Sequence, residues 1–81
     1  MNLKCVSREY HPDAPTQAEL SKIKPGSAVR LELDSGTFFW CLVTEPRRAG
    51  GIFKGVADDT APPVRRGDTV YFSVEHVFIV L

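Results

Sequence analysis

The sequence carries no excess charge of either sign: ten lysines and arginines stand against ten aspartates and glutamates. Duplex nucleic-acid binders draw much of their affinity from phosphate contacts, so a balanced chain argues against that class except through a local basic patch. Cysteine is scarce as well. Cys5 and Cys41 are the two present, fewer than a disulfide-stapled secreted mini-domain uses, and they are expected to be reduced thiols in a cytoplasmic protein. No apolar run approaches the roughly 20 residues that span a bilayer, and no basic stretch leads into an apolar one as in a secretory signal. A phosphate-binding loop is also missing, because Gly50-Gly51 has neither a Gly-Lys-Ser/Thr ending nor a following helix. There is no internal repeat and no low-complexity tract.

What is present is enough for one core. A chain of 81 residues with 43% hydrophobic content reads as a single domain over 1–81, too small to enclose a deep substrate cavity. Residues 3–7 read as a short strand, and two prolines then break regular structure before residue 16. Thr16 and Glu19 have capping-box spacing, where each side chain can bond the other's backbone N–H. With Ala18, Leu20 and Ile23 as an apolar stripe and Lys22 and Lys24 near its end, a helix of about two turns is predicted, stopped by Pro25-Gly26.

Strands follow. Val29, Leu31 and Leu33 alternate with Arg30, Glu32 and Asp34, the pattern of a strand with one buried face. Ser35-Gly36 is a hairpin signal. Residues 37–45 are apolar on both faces, which predicts a central strand whose second face needs a cover. Residues 52–57 form a further strand with Gly55 inside it, a mark of a bulge or a close backbone approach. Residues 68–74 alternate through Val70, Phe72 and Val74. A tight turn over 73–76 and a last strand over 77–80 complete the order. Leu31, Leu42, Val70 and Phe72 are the expected core. The fold class is mainly β, with about five antiparallel strands and one short N-terminal helix, and residues 1–26 stand apart from a barrel core over 27–81.

Phe39-Trp40-Cys41-Leu42-Val43, then Gly51-Ile52-Phe53-Lys54-Gly55, then Gly67-Asp68-Thr69-Val70-Tyr71-Phe72, then Glu75-His76-Val77 resembles small SH3-like β-barrels. It is similar in particular to short bacterial and phage-borne proteins with this pattern. The resemblance covers about residues 27–80. It implies a small barrel with a 3₁₀ turn before the last strand, and no activity, since fold alone does not carry function.

No catalytic constellation is evident. Cys41 and His76 are the nucleophile–base pair worth naming, but a thiol inside an apolar strand is inert. Zinc sites are built from close ligand pairs such as C-x-x-C. Cys5, Cys41, His11 and His76 are widely separated, so no metal or other cofactor is expected. Asp58-Asp59 reads as a solvated loop rather than a cation site. Two binding readings remain. The leading one is a protein partner held on an aromatic surface at Phe38, Trp40, Phe53 and Tyr71, with Arg47 and Arg48 as a charged rim, the chain being a monomer or a homodimer. The alternative is nucleic acid, held by Arg47, Arg48, Arg65 and Arg66 converging at one end of the barrel beside aromatic stacking platforms.

Overall fold

Alternation in the sequence becomes strand in the structure almost position for position. The computed structural model describes residues 3, 5, 15–45, 48 and 50–81. Its strands are β1 (Ala28–Glu32), β2 (Phe38–Glu45), β3 (Phe53–Ala57), β4 (Thr69–Phe72) and β5 (Val77–Val80), with a 3₁₀ turn (Val74–His76) before β5. All five lie in one sheet in the order β4-β3-β2-β1-β5, and every pairing is antiparallel. Strands β1 to β4 form a meander, and β5 crosses back to pair with β1. β4 and β5 stand at the two ends of this order, and among the described residues no ladder joins them. Of the strand expected over 3–7, the described part is an isolated bridge from Leu3 to Leu33.

One face of the sheet builds the core. Val29, Leu31 and Leu33 from the first strand region meet Phe39, Cys41 and Val43 of β2, Phe53 and Ala57 of β3, and Val70 and Phe72 of β4. Phe53 stacks on Phe72 with ring centroids 5.3 Å apart. Leu42 departs from the expectation. It is 40% exposed, because it pairs with Ala28 while Cys41 pairs with Val29, and adjacent strand residues face opposite ways. Glu32 departs in the other sense: expected on the wet face, it is buried.

The helix is shorter than predicted. α1 spans Gln17–Leu20, a single turn. Its capping box is formed: the Glu19 N–H donates to the Thr16 hydroxyl, and the Thr16 N–H donates to the Glu19 carboxylate. Beyond Leu20 the chain folds into turns, with Gly26 at φ +94°, so Lys22 and Lys24 do not occupy a last helical turn. Ala18 is exposed, but Leu20 and Ile23 enter the core cluster. The segment therefore covers the inner face of the sheet.

The β1–β2 turn is closed by the Gly36 N–H donating to Leu33 and the Leu33 N–H donating to Thr37, with Gly36 at φ +91°. That left-handed position suits glycine. Among the described residues, no helix is long and apolar enough to cross a membrane.

Candidate functional site

Strand β2 is apolar at successive positions, so only half of its side chains can enter the core. Phe39, Cys41 and Val43 do. Phe38, Trp40 and Leu42 point to the opposite, outer face, where Phe38 is 39% exposed and Trp40 is half-buried. The ladders place further side chains beside them. Arg30 is opposite Trp40, Val56 is opposite Leu42, Tyr71 is opposite Lys54, and Ile79 is opposite Arg30. Tyr71 and Ile79 are exposed. The outer face thus carries Phe38, Trp40, Leu42, Val56, Tyr71 and Ile79, with Arg30 and Lys54 set among them.

Two contacts organise the Phe38 end of this face. The Arg30 guanidinium lies over the Phe38 ring, 4.4 Å from its centroid, a cation–π contact worth about 0.5–1 kcal/mol at an exposed site. Phe78 meets Phe38 edge to face, at 5.2 Å between centroids. The backbone at Trp40 is held from the side. Its N–H donates to the Asp59 carboxylate at 2.9 Å, and its carbonyl accepts from the Asp58 N–H at 2.8 Å. Asp59 thus serves as a backbone acceptor that ties the loop after β3 to β2.

The sequence-predicted site residues separate into groups. Phe38, Trp40 and Tyr71 share the outer face. Phe53 is buried and belongs to the core. Arg47 lies outside the described residues. Arg48 and Lys54 both pair with Glu45, the lysine at 3.4 Å. The Arg48 hydrogen bond, with the charges of Arg48 and Lys54, holds the Glu45 carboxyl below its ordinary pKa. Arg65 and Arg66 are exposed, and the Arg66 side chain donates to the Asp58 carbonyl at 3.1 Å. Arg48 precedes β3 while Arg65 and Arg66 follow it, so Arg48 and the Arg65-Arg66 pair stand at opposite ends of a strand about 13–16 Å long. Among the described residues, Arg48 does not converge with Arg65 and Arg66, because an antiparallel strand separates the loops it joins.

Cys41 has no exposed surface, and burial pushes its thiol up to about 12, a protonated and unreactive state at neutral pH. His76 is not its partner in a cleft. The His76 ring sits on the 3₁₀ turn, accepting at Nδ1 from the Ser73 N–H at 3.0 Å. Cys5 and Glu75 are its neighbours: each of the three offers a ligand atom, and these lie within 4.8 Å of one another. Cys5 is distant from the other two in sequence, and no spacing signal could have found this group. Elsewhere, Ile23, Lys24, Ser27, Val80 and Leu81 line an open groove of about 640 Å³.

Comparison with protein-family models, with curated proteins and with solved structures finds no match.

Proposed function

We propose that this chain is a non-catalytic binding module of the cytoplasm that docks a protein partner on the outer face of its sheet. The observation that carries the reading is the open side of β2, where Phe38 and Leu42 remain about two-fifths exposed although the opposite side of the same strand fills the core. Contiguous apolar surface on a small protein marks an interaction site more often than isolated exposed residues do. The proposed architecture is an SH3-like barrel. Its support is the element order, in which a meander of four strands is followed by a 3₁₀ turn and a fifth strand beside the first.

The nucleic-acid reading has less support. Arg48 and Lys54 are engaged by Glu45, and Arg48 stands at the opposite end of β3 from Arg65 and Arg66. Salt separates the readings, because phosphate binding falls steeply with ionic strength and apolar docking does not. The test is affinity capture from host extract on wild type and on Leu42→Asp, at low and high salt, with sedimentation of both proteins. A protein retained by wild type at high salt and lost by Leu42→Asp supports the reading. A homodimer that Leu42→Asp dissociates assigns the face to a second copy. Capture of nucleic acid that high salt abolishes and Leu42→Asp leaves intact overturns the reading.

A further inference from the structure

We propose that Cys5, Glu75 and His76 form a binding site for a zinc-type divalent transition-metal ion, tying Cys5 to the 3₁₀ turn ahead of β5. The three side chains bring a thiol, a carboxylate and an imidazole together, with one ligand atom from each inside a 4.8 Å group. In a tetrahedral zinc site the ligand atoms stand about 3.5 Å apart. His76 Nε2 and Glu75 Oε1 are 4.0 Å apart, so small side-chain rotations close the set. Such rotations are available. Cys5 is exposed, and the Glu75 side chain is 65% exposed.

The donor set selects the metal. A thiolate with an imidazole suits zinc and its neighbours, whereas magnesium and calcium take oxygen ligands. Three protein ligands leave one tetrahedral position for water. Ligation through His76 Nε2 requires the proton on Nδ1, where the ring now accepts from the Ser73 N–H, and the Ser73 hydroxyl is the group placed to take that proton's hydrogen bond. The Ser73 hydroxyl donates to Glu75 Oε1 at 3.1 Å and lies 3.3 Å from His76 Nδ1. With metal on Nε2 the ring proton moves to Nδ1, and the Ser73 hydroxyl oxygen accepts it. That exchange gives up the bond from the Ser73 N–H and fixes ring and carboxylate through one residue, as outer hydrogen bonds do at metal sites. The metal would also crosslink distant parts of a small chain, which ties binding to folding.

Cobalt(II) is the probe, added to the reduced full-length chain. The expected result is one equivalent bound, with a thiolate-to-cobalt charge-transfer band that zinc(II) abolishes by displacement and millimolar magnesium does not. Cys5→Ser removes the band, and Cys41→Ser retains it. His76→Ala and Glu75→Gln each weaken cobalt binding at least tenfold, and Ser73→Ala weakens it about tenfold. Circular dichroism of the exposed-site variants Cys5→Ser and Glu75→Gln matches wild type. Absence of the band from the wild-type chain overturns the proposal, as does a band of undiminished intensity in folded Cys5→Ser.

Discussion

Leu31 and Leu42 are the same side chain on adjacent strands, and they face opposite sides of the sheet. Leu31 has no exposed surface, whereas Leu42 is 40% exposed. Leu31→Ala is expected to cost about 2–4 kcal/mol in urea unfolding, from lost transfer energy plus the cavity. Leu42→Ala should cost less than about 1 kcal/mol, nearer a surface substitution. Equal costs would show that the two faces of β2 are misassigned. The two thiols differ in the same way. Cys5 is exposed and Cys41 buried, so a thiol reagent should label Cys5 promptly and Cys41 only on unfolding. Burial raises the Cys41 pKa from its ordinary 9.0 to about 12. The folded chain therefore keeps a proton that the unfolded chain releases. This contribution to stability is complete below pH 9.0 and is lost as pH climbs toward about 12, with a slope of at most about 1.4 kcal/mol per pH unit. Cys41→Ala should flatten that part of the pH–stability curve. An unchanged slope would mean that the thiol ionises at the same pH in both states.

Within single elements, two local devices can be tested separately. The capping box gives α1 its start, and Thr16→Ala should cost about 0.5–1 kcal/mol by urea unfolding. The one-turn helix carries Leu20 into the core, so a full loss of cooperativity would mean that the cap organises more than this turn. In β3, Gly55 allows β2 to approach. A Cβ there would stand 2.5 Å from the Leu42 carbonyl oxygen and 2.6 Å from Cys41 Sγ. Gly55→Ala should then cost about 1–3 kcal/mol by overpacking. In a Cys41→Ala background the penalty should shrink, because the sulfur half of the clash is gone, and a double-mutant cycle reads that coupling. Strict additivity would indicate that the carbonyl contact alone sets the cost.

Across the whole molecule, the radius of gyration of 11.6 Å is close to the roughly 12 Å of a compact chain this long. One face of the sheet builds the core, and the other carries Phe38, Trp40 and Leu42 beside Arg30. Trp40 is half-buried on that outer face, so acrylamide should quench its fluorescence in the native protein to an extent between a buried and a free indole. Quenching should fall when a partner or a second copy covers the face. A native indole fully shielded in a sedimentation-verified monomer would overturn the proposed docking surface.

Element order was legible in the sequence because strand alternation, hairpin glycines and a capping box are local signals with a local physical cause. Val29, Leu31 and Leu33 could face only one way, since charged residues separate them. Their burial follows from the transfer of apolar side chains out of water, while the burial of Glu32 between them was not legible from the alternation. Nothing local decides between the two faces of 38–43, where both are apolar, and the pairing of Ala28 with Leu42 settles it. Tertiary structure likewise decided that Phe53 stacks in the core, that Arg48 and the Arg65-Arg66 pair flank β3 from opposite ends, and that Cys5 meets Glu75 and His76. Each of these depends on which strand lies beside which. Strand pairing is a long-range choice, made by the burial of the whole sheet rather than by the spacing of a few residues.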